Sequence, residues 1–224
     1  MKILAIDTST KILCLGLYVD GKFYEYNLEV GRGLSELLAV TIQRVTDAAG
    51  IKISQIDYFA CGLGPGSFTG MRIGLATIKG LSVIKNKPVI GISSLDILAL
   101  NAPVTKDPII TALDARRELV YYSAYRYERG VLKRKDKYSL LNLDEFCKKI
   151  KNKSVILGDA LALYGDKILK QTQGVHLLDK DYWKLNAHNL ITLALIKIKA
   201  GQFSNALAIK PIYLYPQECQ IKIR

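Results

Sequence analysis

Ile3-Leu4-Ala5-Ile6-Asp7-Thr8-Ser9-Thr10 and Pro108-Ile109-Ile110-Thr111-Ala112-Leu113-Asp114 open the two halves of this chain alike, each with a short apolar strand ending in aspartate. The order of elements after each aspartate repeats as well. Beyond Asp7, residues 12–19 read as a second strand, Asp20-Gly21 as a tight hairpin turn and residues 22–29 as the returning strand. Ser35 offers an N-cap for a helix to Ala49, closed by Gly50. A strand over 56–63, a glycine loop, a helix over 72–84, a strand over 88–92 and a helix from Ser93-Ser94 to near Asn101 complete the half. The second half reads as strands at 108–113, 119–127 and 131–141, with a turn at Arg129-Gly130, then a helix over 143–151. A strand at 154–157, a helix to 170, a strand at 175–178 and an apolar helix over 186–200 close the chain.

This predicts an α/β chain of two tandem βββαβα subdomains, residues 1–104 and 105–224, with the terminal segment free to pack back on the first. A simple doubly wound sheet would not need two early antiparallel hairpins. The order resembles that of the actin, Hsp70 and sugar-kinase (ASKHA) superfamily, which implies a nucleotide cleft between the halves. In that superfamily the hairpin after each first strand folds over phosphates. Asp7-Thr8-Ser9-Thr10-Lys11 supplies short hydroxyls and a lysine suited to phosphate oxygens or a metal-bound water. The same Asp7, Thr8 and Ser9 equally suit capping and hairpin structure, and both readings stand. Asp114-Ala115-Arg116-Arg117-Glu118 has no glycine and puts two guanidinium groups and a carboxylate where backbone amides would cradle phosphate. The expected nucleotide cleft is therefore degenerate.

The 224 residues carry a net charge of +12, and half are hydrophobic, enough for a substantial core. The charge suits an anionic partner such as RNA, or lysines spread over solvated faces; Lys133-Arg134-Lys135 and Lys148-Lys149-Ile150-Lys151 are its densest clusters. No apolar run reaches the roughly 18 residues of a membrane span, and Asp7 falls where a signal peptide would still be apolar. A soluble, cytoplasmic chain is expected. Cys14, Cys61, Cys147 and Cys219 form no CxxC pair and read as inert thiols. His176 and His188 are the only histidines, and neither has a histidine or acidic partner at helical spacing, so no metal site is expected. Gly66-Ser67-Phe68-Thr69-Gly70 places a serine on a strand-to-helix turn, but the spacing is not GxSxG and no base accompanies it. No catalytic residue is assigned.

Gly64-Pro65-Gly66-Ser67-Phe68-Thr69-Gly70-Met71-Arg72-Ile73-Gly74 is the most specific motif, a turn where backbone must come close to something. With Ile3–Thr10, Lys79-Gly80-Leu81, Gly91-Ile92-Ser93-Ser94-Leu95, Leu113-Asp114-Ala115-Arg116 and Pro211-Ile212-Tyr213-Leu214, it makes the chain closely similar to the bacterial TsaB (YeaZ) family over essentially its whole length. The resemblance implies a partner protein in making threonylcarbamoyladenosine at position 37 of tRNAs that read codons beginning with A. It implies no catalysis and no cofactor of its own: the related TsaD performs the transfer with a metal held by paired histidines, and the complex works with the ATPase TsaE. Family members often have His-Ser-Glu where this chain has Leu34-Ser35-Glu36.

The resemblance further implies pairing through the two N-terminal helices, with a TsaD-type transferase or, when alone, with a second copy. Leu34, Leu37, Leu38, Thr41, Ile42 and Val45 form an apolar stripe broader than one core seam needs. Gly70, Gly74, Ala76, Thr77 and Gly80 are small, and glycines inside a helix imply close approach of another backbone. Arg72, at the expected helix start, is unfavourable to the helix dipole and suggests an acidic or phosphate partner. Two other classes stay open: an ATP-using small-molecule kinase, and a metallopeptidase-like protein. Contact with tRNA is expected through the complex.

Overall fold

Strand β1 (Lys2–Asp7) is buried from Ile3 onward, which requires cover on both faces of its sheet. The computed structural model describes residues 1–30, 33–84 and 86–216, and Cys219 lies outside them. β1 pairs antiparallel with β2 (Ile12–Val19), which pairs with β3 (Lys22–Glu29). On its other side β1 runs parallel to β4 (Tyr58–Gly62), itself parallel to β5 (Val89–Ile92), giving the order β3-β2-β1-β4-β5. The hairpin turn lies at Asp20-Gly21, both with positive φ, as a two-residue turn matched to strand twist requires.

Alternation along β2 divides its residues between two layers. Leu13, Leu15 and Leu17 join Leu38, Ile42 and Val45 of α1 (Leu34–Ala48) and Leu75 and Ile78 of α2 (Phe68–Val83) in one core. Strand β5 leads into the short helix α3 (Ser94–Ala99). On the face opposite α1, α6 (Ala187–Lys199) packs across β2: a Cβ at Gly16 would stand 2.8 Å from both Ala187 Cβ and Ile191 Cδ1. One compact unit comprises Met1–Ile97 with Leu185–Ile212. Ser204 pairs with Val89 and so covers part of the β5 edge.

A second unit comprises Leu98–Lys184 and, of the described residues that follow, Tyr213–Pro216. Its strands are β6 (Ile109–Asp114), β7 (Leu119–Glu128), β8 (Val131–Arg134), β9 (Ser139–Asn142), β10 (Val155–Leu157) and β11 (His176–Leu177), in the order β11-β10-β6-β7-β8 with β9 also on β7. The arrangement repeats that of the first sheet. Helices α4 (Leu143–Lys149) and α5 (Leu161–Gln171) contribute Phe146, Leu161, Tyr164 and Ile168 to a core with Val120, Tyr122 and Ile156.

Three local expectations are corrected. The returning strand expected over 131–141 is two strands: three residue steps on β7, from Tyr125 to Tyr122, face five on the return, from Arg134 to Ser139. Lys135 and Asp136 both donate backbone N–H groups to the Ala124 carbonyl, and the Tyr122 hydroxyl donates to Asp136 at 2.6 Å, which fixes the bulge. Helix α1 is entered from Gly33 in the left-handed region with no side-chain cap, and Ser35 sits inside its first turn. Helix α2 begins at Phe68, not at 72, because Ser67 caps it by accepting from Gly70 N–H.

The packing of α6 on β2 makes a direct test. Gly16→Val is expected to destabilise the chain by about 1–3 kcal/mol through overpacking against Ala187 and Ile191, read as a lower urea midpoint with an unchanged slope.

Candidate functional site

The end of β1 turns inward. Asp7, Thr8 and Ser9 are 0%, 2% and 2% exposed, so each polar atom there needs an internal partner. Asp7 Oδ1 accepts the Ser9 backbone N–H at 2.7 Å, and Oδ2 accepts the Ser94 hydroxyl at 2.6 Å. The Ser9 hydroxyl donates to Ser94 Oγ at 2.8 Å, and the Thr8 hydroxyl donates to the Gly70 carbonyl at 2.7 Å. Burial pushes the Asp7 carboxyl above the usual aspartate range, against the opposing pull of the hydrogen bonds from Ser94 and Ser9. Burial likewise pushes the Cys61 thiol up, with the Asp7 charge adding to it.

The glycine motif receives this turn. A Cβ at Gly62 would collide with the Asp7 carboxylate, at Gly66 with the Ser9 carbonyl, and at Gly70 and Gly74 with the Thr8 carbonyl and hydroxyl. Ser67 N–H donates to the Ser9 carbonyl, while Ser94 N–H and the Ser93 hydroxyl donate to the Gly64 carbonyl. The close approach that the motif demands is therefore met inside the chain, by its own β1 turn. The reading of Gly70 and Gly74 as openings for a partner's backbone is corrected accordingly.

The remaining helix residues divide between two faces. Leu38, Thr41 and Val45 point into the core, while Leu34 and Thr77 are half-buried, Thr77 donating its hydroxyl to the Ile73 carbonyl. The width of the α1 stripe thus splits, with Leu37 outward at 39% exposure beside Val40 at 48%. On α2 the outward residues are Arg72, Ala76, Gly80 and Val83, at successive turns. Because α2 starts at Phe68, Arg72 lies in its second turn, with its guanidinium 3.7 Å from the Phe68 ring centroid. A Cβ at Gly80 would meet nothing within 4 Å. Sequence reasoning missed Val40, Phe68, Val83 and Ile84, all exposed; their spacing from Leu37 and Gly80 was the available signal. A pocket of about 190 Å³, lined by Ile53, Ile56, Phe59, Leu81 and Ile84 among others, lies at the C-terminal end of α2.

The second aspartate has different company. Asp114 N–H donates to Asp159 at 2.8 Å, and Asp114 accepts the Arg116 N–H at 2.9 Å. Arg116, Arg117 and Glu118 all have positive φ. His188 stacks on Phe23 and lies 3.2 Å from Glu25. Among the described residues, no three His, Cys, Asp or Glu side chains converge as metal ligands, and no helix is long and apolar enough to cross a membrane.

Two sheets of like topology, each begun by a strand ending in aspartate, define an ASKHA-like α/β protein. YeaZ from Pseudomonas aeruginosa has the same fold, with a TM-score of 0.82 at 25% identity over 95% of this chain and 99% of that one. The chain belongs to the TsaD family, described as tRNA N6-adenosine threonylcarbamoyltransferase, whose model matches residues 28–162. Its resemblance to TsaB proteins holds along nearly the whole length. It is 28% identical to the tRNA threonylcarbamoyladenosine biosynthesis protein TsaB of Escherichia coli over 96% of this chain and 94% of that protein. The protein of the same description from Haemophilus influenzae is 28% identical over 96% and 93%.

The raised Asp7 carboxyl fixes the sign of a pH effect. A carboxyl whose pKa is higher folded than unfolded stabilises the fold fully below its unfolded pKa, and that contribution is lost as pH rises through the folded pKa. The stability of the natural chain relative to Asp7→Asn is therefore expected to grow as pH falls from about 7 to about 4, measured as urea midpoints at each pH. Asp7→Ala, which leaves Ser94 and Ser9 N–H without their acceptor, is expected to cost about 1–3 kcal/mol more than Asp7→Asn at neutral pH.

Proposed function

We propose that this chain is a non-catalytic subunit in forming N6-threonylcarbamoyladenosine on tRNA in the cytoplasm, binding and positioning a TsaD-type transferase through α1 and α2. The names of its relatives supply the pathway. Gly80 is the observation that carries the binding surface. A glycine inside a helix costs roughly 1 kcal/mol relative to alanine, and Gly70 and Gly74 recover that through their fit against Thr8. Gly80 has no such internal return and faces outward beside Ala76, Arg72 and Val83.

The small-residue stripe of α2, with Phe68 and Ile84 exposed on the same helix and Leu37 and Val40 exposed on α1, suits another helix pair at close range. Alone, two copies cover the same surface symmetrically; in the working assembly the transferase takes that place, and a TsaE-type ATPase joins through the complex. Asp7, Thr8 and Ser9 are engaged within the chain, so we assign them to holding α2 rather than to a nucleotide.

Gly80→Ala separates helix stability from binding. It is expected to raise the stability of the free chain by about 0.5–1 kcal/mol while weakening co-purification with the cognate transferase. Leu37→Asp combined with Gly80→Glu is expected to abolish both self-association, read by sedimentation, and transferase capture. Retention of both by that variant would sink the proposal.

A further inference from the structure

The two basic clusters of the sequence, separated by β9 and the first turn of α4, arrive at one end of the second sheet. β6 and β10 are parallel, with Ile109 opposite Val155, so both start at the same end. The β7–β8 hairpin turns at that end too, since Tyr125 pairs with Ile109 and Glu128 with Val131 beyond it. Helices α4 and α5 run back toward it, delivering the chain to β10 and β11. Lys153 N–H bonds to the Gly174 carbonyl there, tying the loop before β10 to the loop before β11.

Arg129 and Lys133 therefore come from the hairpin, Lys149, Lys151 and Lys153 from the α4–β10 connection, and Lys170 from the end of α5. All six are exposed, and none is ion-paired among the described residues. Two carboxylates lie at this end as well: Glu128, held by Lys135, and Asp107, just ahead of β6, so the six cations still outnumber them. At the other end acids and bases are mixed: Asp114 closes β6, Glu118 precedes β7, Asp159 follows β10 and Asp144 and Glu145 begin α4, alongside Arg116, Arg117 and a Lys167 that lies 3.5 Å from Glu118. A lysine in the last turn of α4 answers the helix dipole, but that reason does not extend to the hairpin or the loop lysines.

We infer that this basic end of the second unit contacts the phosphate backbone of tRNA, reading charge and shape rather than sequence. The inference rests on the proposed role in tRNA modification, which makes a polyanion the partner that the charge complements. Lysines at loop ends suit phosphates spaced along a strand, because each can reach one phosphate without a fixed fork geometry.

The test titrates the full chain, alone and assembled with its transferase, with an unmodified transcript of a tRNA reading codons that begin with A. Lys133→Gln, Lys149→Gln, Lys151→Gln and Lys170→Gln together are expected to weaken binding at least about tenfold near 0.1 M salt. The slope of log affinity against log salt is expected to shrink by about 2–4, near one for each phosphate no longer neutralised. A matched variant of the first unit, with Lys22, Lys52, Lys199 and Lys210 changed to Gln, is expected to stay within about threefold of the natural chain. Equal losses in the two variants would reduce the effect to total charge and overturn the inference. So would an unchanged affinity in the first variant, absence of salt-sensitive binding by the natural chain in either state, or a loss confined to transferase capture. Capture that depends on Gly80 but tRNA binding that ignores these lysines would overturn this inference and leave the subunit role standing.

Discussion

A carboxylate shut away from water sets the terms on which the first unit is built. Burying Asp7 is tolerable only if both oxygens are satisfied, and Ser9 N–H and the Ser94 hydroxyl satisfy them. That arrangement draws the chain after β4 and the start of α2 so close to β1 that Gly62, Gly66, Gly70 and Gly74 have no space for side chains. The position of α2 follows from these contacts. So does its outward face, because a helix whose inner residues are Gly70, Gly74 and Ile78 must present Arg72, Ala76, Gly80 and Val83 outside. A buried polar knot and an exposed small-residue stripe are two sides of one helix.

Most of the architecture is legible in the sequence, since it depends on local chemistry. Asp20-Gly21 and Arg129-Gly130 both take positive φ and turn hairpins. Gly50 ends α1 in the left-handed region, and Asn142 and Asn186 cap α4 and α6. What the sequence conceals is direction. A glycine within a helix announces close approach but not from which side, and Gly70 and Gly80 differ only in what lies beyond the missing Cβ. Likewise the stripe from Leu34 to Val45 shows its width but not that Leu37 and Val40 belong to a different face from Leu38 and Thr41. The break between β8 and β9 is hidden because it depends on a side chain on another strand, Tyr122, reaching Asp136.

The two halves share one plan and answer their aspartates differently. The first meets Asp7 with glycines and two serines, and the carboxylate disappears into the protein. The second meets Asp114 with Asp159 and a turn of three residues at positive φ, none of them glycine, and Asp114 remains half-buried. Each left-handed non-glycine residue costs roughly 1–2 kcal/mol, so this turn is not the cheapest way to join β6 to β7. A pair of phosphate-binding hairpins would need both turns open and both backbones free to donate. The first turn has given its Asp7 carboxylate and Ser9 N–H to internal hydrogen bonds, and the second carries two arginines and a glutamate.

That divergence accounts for how the surface properties are apportioned. The first half has used its motif residues to hold α2 from inside, leaving Arg72, Ala76, Gly80 and Val83 exposed on the helix. The second half mixes acids and bases around the β6 turn, while the exposed lysines gathered at the opposite end have no ion pair among the described residues. Like charges gathered at one end produce a field that extends past the surface, where alternating charges would cancel within a Debye length. As proposed, one half packs against a protein partner and the other attracts a polyanion. In the proposed subunit role, holding both at once is how the chain serves a reaction whose chemistry belongs to its partner.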